Sequence, residues 1–189
     1  MPQKFLIVGL GNIGKEYEHT HHNVGFDIVE KLVAEANSEF RSERYGQVAE
    51  VKLKGNTLVV LQPNTYMNLS GEAVRYWVQR EKIALENILI VVDDLAIPAG
   101  AIRLKGKGSP GGHNGLKNIS LLLGTDNYAR LRFGIGSNFS RGGQVDFVLS
   151  GWSDEEKPMI DERMTLAAEV VRQFCLQGLE KTMTQYNNK

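Results

Sequence analysis

Short apolar runs alternate with helix-spaced segments along this chain, and that alternation restricts it to folds in which helices cover a sheet. Ile88–Val92 is an unbroken run of branched apolar side chains, the pattern of a strand covered on both faces, and Phe5–Leu10 reads the same way. Val24, Ile28, Leu32 and Val33 recur near helical spacing, so Val24–Ala36 completes a βα unit with Phe5–Leu10. Gln47–Leu53 and Thr57–Gln62 are expected to form a hairpin through Gly55-Asn56, which makes part of the sheet antiparallel. Gly71–Glu81 and Leu116–Leu123 read as helices, and Ala101–Lys105 and Ala129–Ile135 as alternating strands. Beyond Gly151 comes one long helix, with Ser153 as N-cap, Asp154, Glu155 and Glu156 in its first turn, Pro158 close behind and Gly178 ending or breaking it. No repeat or long linker divides residues 1–189, so the expected architecture is a single α/β domain: a mixed, largely parallel twisted sheet covered by helices on both faces, with a long C-terminal helix.

Charge and cysteine content narrow the function. The 22 basic and 22 acidic residues cancel, so a polyanionic partner has to be met by a local patch rather than by the field of the whole molecule. The lone Cys175 excludes a disulfide framework and a cysteine-rich zinc site. No segment approaches the ~18 apolar residues of a membrane span. The N-terminus enters a strand without a signal-peptide pattern, and the expected location is the cytoplasm.

The polar chemistry is concentrated in loops. All four histidines fall in Tyr17–Asn23 or in the glycine-rich stretch 108–115, and His22 follows the first strand's loop. Gly9-Leu10-Gly11-Asn12-Ile13-Gly14 has the glycine spacing of a dinucleotide fingerprint. Its context fails, because Lys15–Asn23 has no apolar stripe and the candidate acids, Glu30 and Glu35, fall inside the first helix. No cofactor is expected. The glycines are explained by a sharp turn at a strand end, but that leaves Asn12 unexplained. Asn12, Asn68 and Asn114 all stand where the carboxyl ends of strands, or the loops beside them, open into a crevice. Each alone has a plain reading as a turn or cap residue, and Asn114 in particular suits the cap of the following helix. Together with His22 they suggest substrate-binding carboxamides.

Asp93-Asp94 ends the most hydrophobic strand. A carboxylate leaving a buried strand needs a partner, and a histidine is the natural one where an imidazole must be oriented; Asp93, nearer the buried end, is the better candidate. His19, His21, His22, His113, Asp93 and Asp94 are possible metal ligands, but the histidines are crowded in loops and show no recognised zinc spacing, so no metal is expected. Cys175 lies among Val170, Val171 and Phe174 as a core thiol, and no serine sits in a Gly-x-Ser-x-Gly elbow. Activated water with a histidine base remains.

In order along the chain, Gly9–Gly14, Tyr17–Gly25, Pro63–Gly71, Asp93-Asp94-Leu95, Gly111–Lys117 and Arg130–Gly136 resemble the motif set of bacterial peptidyl-tRNA hydrolases. The resemblance implies a monomeric, metal-independent esterase that cleaves peptidyl-tRNA at the acceptor end and recycles ribosome drop-off products. Carried over by position, it implies His22 as general base and Asp93 as the acid that orients it. Asn12 would contact the peptide and favour a blocked amino group, while Asn68 and Asn114 would position substrate, water or the developing oxyanion. Tyr17, Tyr66 and Met67 would line the groove near the terminal adenosine and the peptide, His113 would belong to the binding residues, and Lys105 and Arg132 would clamp the 5′-phosphate. Three positions depart from the family pattern: Ile13 in place of a proline, His21 in place of an arginine, where it would leave a titrating neighbour beside the base, and Ala96 in place of a polar or acidic residue.

Arg103, Lys105 and Lys107 stand two apart and share one face of an extended strand, with Lys117, Arg130, Arg132 and Arg141 in neighbouring segments. From spacing alone this is a solvated face; with the resemblance it becomes a patch for a few phosphates. Two other classes stay open: a non-catalytic RNA-binding module, which has no need of His22 with Asp93, and a dinucleotide-dependent oxidoreductase, which lacks its acidic ribose contact.

Overall fold

A computed structural model describes residues 2–189. Seven strands form one sheet in the order β2-β3-β4-β1-β5-β7-β6, with ranges Lys4–Gly9 (β1), Arg41–Glu43 (β2), Gly46–Leu53 (β3), Asn56–Pro63 (β4), Ile88–Asp94 (β5), Ile102–Lys105 (β6) and Ala129–Gly134 (β7). The central four, β4-β1-β5-β7, are mutually parallel, and antiparallel strands flank them on both sides. The expected mixed α/β sheet is therefore present, with its parallel part at the centre.

The pleat sorts the core into two layers. Phe5, Ile7, Leu89, Val91, Leu131 and Phe133 point to one face, under helices Val24–Glu35 (α1) and Lys157–Gln177 (α5). Leu6, Val8, Ile88, Ile90 and Val92 point to the other, under Ser70–Glu81 (α2) and Asn114–Leu123 (α3). Each central strand feeds both layers, which is why these runs are apolar without alternation.

Several local expectations shift. The hairpin turn is Lys54-Gly55, both with positive φ, and not Gly55-Asn56; Asn56 is already paired with Leu53 in the ladder. Glycine takes the second left-handed position, and Asn56 uses its side chain to accept the Gln3 N–H. Strand β2 and the short helix Gln144–Val148 (α4) went unread because neither carries a periodic apolar pattern. Ser153 stands one turn ahead of the long helix, whose N-cap is Glu156, so Asp154, Glu155 and Glu156 precede the helix instead of forming its first turn. The Ser153 Oγ accepts the Glu156 N–H while Glu156 Oε1 accepts the Ser153 N–H, a reciprocal box after which regular helix starts at Lys157. Gly178, at φ 89°, breaks that helix, and Leu179–Tyr186 (α6) continues against β6.

Candidate active site

Two glycines bring the histidine loop over the strand ends. A Cβ at Gly9 would collide with the Gly25 carbonyl, and one at Gly25 would lie 2.5 Å from the Val91 oxygen. Without side chains at these points, α1 starts directly on β1 and β5, and a one-turn 3-10 helix, His21–Asn23, is set down at the carboxyl end of β5. The glycines of the first loop thus serve helix–strand approach and a turn rather than a pyrophosphate, and a 3-10 turn, Lys15–Tyr17, follows them where a nucleotide-binding helix would begin.

Asp93 is buried and accepts two hydrogen bonds, from His22 Nδ1 at Oδ2 and from His113 Nε2 at Oδ1, each 2.7 Å. His113 is the N-cap of α3. Its Nδ1 accepts the backbone N–H groups of Gly115 and Leu116 at 3.1 and 3.3 Å, so the ring hydrogen sits on Nε2 and points at Asp93. This corrects the reading of Asn114 as the helix cap; Asn114 is the first helical residue and is exposed. The carboxylate in turn holds His22 as the Nδ1–H tautomer and leaves Nε2 as the basic atom. Burial works against the His22 cation, but the Asp93 charge and hydrogen bond outweigh it and raise its pKa above 6.5. Burial likewise pushes the Asp93 carboxyl up, and the two imidazoles more than reverse this, holding it below the ordinary carboxylate range.

The donor atoms of His22, Asp93 and His113 lie within 4.8 Å of one another, a spacing that a cation can use. The same closeness follows from the two hydrogen bonds to Asp93, for which each imidazole supplies its N–H.

Asn12 is locked from three sides. Its N–H donates to Asn23 Oδ1 and its carbonyl accepts from Asn23 Nδ2, both at 2.9 Å, while its own Oδ1 accepts the Met67 N–H at 2.7 Å. Those contacts fix the amide orientation and leave Nδ2 with no partner among the described residues. Asn23, adjacent to the base, has no assignment from the sequence; nothing local marks its two hydrogen bonds, one accepted and one donated, to a backbone eleven residues away.

His21 does not stand beside the base as a titrating neighbour. Its ring is buried between Phe147 and Trp152, each 4.3 Å from centroid to centroid, and Nδ1 donates to the Ser150 and Phe147 carbonyls. Burial lowers its pKa despite those bonds, so it stays neutral at physiological pH and fastens the histidine loop to the α4 region. Ile13 and Ala96 are exposed, and the Ala96 N–H donates to Asp94 Oδ1.

The peptidyl-tRNA hydrolase family model matches residues 6–189 of this chain. The chain belongs to the peptidyl-tRNA hydrolase family. A peptidyl-tRNA hydrolase of Phocaeicola vulgatus is 58% identical over 98% of the chain and 100% of the relative, and one of Porphyromonas gingivalis is 54% identical over 97% and 100%. The crystal structure of peptidyl-tRNA hydrolase from Acinetobacter baumannii superposes with a TM-score of 0.91 at 36% identity, covering 97% of this chain and 94% of that one.

The other positions that the family resemblance singled out divide into free and engaged groups. Tyr66, Asn68 and Asn114 are exposed, and Tyr17 is half-buried. The Met67 side chain is buried with Leu10 and Leu116, and its backbone N–H reaches Asn12. Lys105 is exposed, whereas Arg132 already pairs with Asp94 Oδ2 at 3.2 Å and donates to the Ser109 carbonyl. Arg130 is fully buried, stacks on Tyr128 and donates to the Gly108 and Asp126 carbonyls, so it shapes the glycine loop from below. Cys175 is buried, which pushes its thiol pKa up and leaves it inert. No helix among the described residues is long and apolar enough to cross a membrane.

Proposed function

We propose that this protein hydrolyses the ester between peptide and tRNA by activating water on His22. Family membership carries the reaction itself, hydrolysis of peptidyl-tRNA, and makes the chain an ester hydrolase. The single observation that carries the proposed mechanism is the His22–Asp93 hydrogen bond at 2.7 Å, with Asp93 buried and His22 partly open.

In this reading His22 Nε2 takes a proton from water as the oxygen bonds to the ester carbonyl carbon. The imidazolium that forms is stabilised by the Asp93 charge. Collapse of the tetrahedral intermediate breaks the bond to the ribose oxygen, which takes the proton back from His22, so peptide acid and free tRNA leave with the base restored. Asn68 and Asn114, both free to turn, offer N–H donors to the developing oxyanion or hold the water. Tyr17 and the exposed Tyr66 are assigned to the terminal adenosine, on whose base an aromatic ring can stack.

Asn12 reads the blocked amino group. Its Nδ2 is a donor, complementary to the carbonyl that acylates the α-nitrogen and opposed to a free ammonium, which brings only donors and positive charge.

Lys105 and Arg132 hold the 5′-phosphate. In the β6–β7 ladder Arg103 is directly opposite Arg132 and shares its face with Lys105, while Arg130, opposite Lys105, is buried and bonded to backbone carbonyls. Arg103 and Arg132 are like charges directly opposite each other, which disfavours the pairing, and a phosphate beside them would add to the compensation that Asp94 gives Arg132. The reading includes action as a monomer in the cytoplasm, without metal or cofactor. Incubation with a peptidyl-tRNA, followed by measurement of free tRNA, tests it; intact substrate after prolonged incubation would leave an RNA-binding role instead.

A further inference from the structure

A cavity of about 390 Å3 opens beside Asn12 on the flank of α1. Phe26, Asp27 and Glu30 fall on one helix face and form its wall, Gln62 at the end of β4 closes it, and Glu18 and His19 overhang it. Its polar groups are unusual. Gln62 is 8% exposed, and its Nε2 donates to the Phe26 carbonyl at 3.2 Å and to Glu30 Oε1 at 3.1 Å, which fixes the amide and leaves Oε1 with no partner among the described residues. Asn12 is 9% exposed and has the free donor Nδ2 described above. One wall therefore offers an unpaired donor and an unpaired acceptor, the complement of a peptide unit's carbonyl and N–H.

The charge is also unbalanced. Three carboxylates, Glu18, Asp27 and Glu30, face one imidazole. Asp27 is only 13% exposed, and burial, with Glu30 adding to it against the pull of His19, pushes its pKa up to about 6. The ion-pair partner of Asp27 is His19 at 3.0 Å, a side chain 75% exposed on a residue with φ 60°, so an incoming cation can displace it.

We infer that this cavity is the subsite for the peptide residue preceding the ester-linked one, with Asn12 and Gln62 reading its amide and Asp27 and Glu30 selecting a lysine or arginine side chain. The inference rests on the reading of Asn12 as the contact for the acylated nitrogen.

The test compares kcat/KM for N-acetyl-Lys-Ala-tRNA and N-acetyl-Glu-Ala-tRNA on the same tRNA. The lysine substrate is expected to lead by about tenfold, the scale of one to two partly screened charge contacts. Glu30→Lys, at an exposed position, should invert the preference, and Asp27→Asn should bring the ratio towards one. Because the readout is a ratio, a general loss of rate from a disturbed histidine loop cancels. A wild-type ratio of one, or a ratio that Glu30→Lys leaves unmoved, overturns the subsite. If Asn12→Asp fails to change discrimination between N-acetyl-Ala-tRNA and Ala-tRNA, the Asn12 reading falls by itself, and the lysine-to-glutamate ratio still decides the charge selection.

Discussion

Asp93 Oδ2 lies 2.7 Å from His22 Nδ1, although 71 residues separate them in the chain. If His22 is the base, its neutral form is the active one. Since its pKa is raised, kcat/KM should fall as pH drops through a value above 6.5, not below it. His22→Ala should lose roughly 10²–10⁴-fold in turnover while remaining folded. A folded His22→Ala enzyme with near-normal hydrolysis would remove the central claim.

Asp93 and Asp94 are adjacent and point to opposite faces: one meets His22 and His113, the other Arg132. Asp93→Asn should therefore lower kcat roughly 10²–10⁴-fold with little change in substrate affinity. Asp94→Asn should leave chemistry nearly intact and alter dependence on the tRNA body through Arg132. Rate constants on full peptidyl-tRNA and on a short nucleotide ester, measured for both variants, separate the two outcomes.

Water activation by histidine predicts that exhaustive chelation leaves hydrolysis unchanged. The cluster of His22, Asp93 and His113 makes this a real test, because its three donor atoms are close enough to share a cation. Loss of activity on chelation, with rescue by one divalent ion after tRNA folding is controlled, would reassign the centre to metal chemistry.

For the clamp, replacing Lys105 or Arg132 by Ala should weaken binding of peptidyl-tRNA and flatten the log–log salt dependence by roughly 0.7–0.9 for each phosphate that is no longer neutralised. A short aminoacyl-nucleotide ester should be nearly indifferent. Arg132→Ala also frees Asp94, so its effect should exceed that of Lys105→Ala if the salt slope is read together with affinity. Equal losses on both substrates would assign these residues to the chemistry.

Asn12→Asp keeps an oxygen for the Met67 N–H and turns the free donor into an anionic acceptor. The ratio of N-blocked to free aminoacyl-tRNA hydrolysis, compared as kcat/KM, should fall. Both rates declining in step would make Asn12 a structural residue.

The strands and helices were legible in the sequence because burial on a sheet or helix imposes a local period, and Ile88–Val92 or the spacing from Val24 to Val33 shows it without reference to the rest of the chain. Where that period is missing the elements went unread, as in the polar edge strand Arg41–Glu43 and the short helix Gln144–Val148. His22 and Asp93 were identifiable as unusual polar groups at the ends of apolar runs, and the ordered motifs pointed to the family. Asp93 was already the better candidate as the acid nearer the buried end, and the tertiary structure supplied the geometry, Asp93 on His22 and Asp94 on Arg132, because the direction of a side chain at a strand end depends on the pleat and on which helix lands above it. Only the tertiary structure paired His113 with the same carboxylate as His22, tied Asn23 to the backbone of Asn12, moved His21 away from the base and sank Met67 into the core. Those interactions join segments distant in the chain, and their geometry is set by how α1 and α3 seat on the sheet, a packing outcome that leaves no periodic trace in any one stretch of residues.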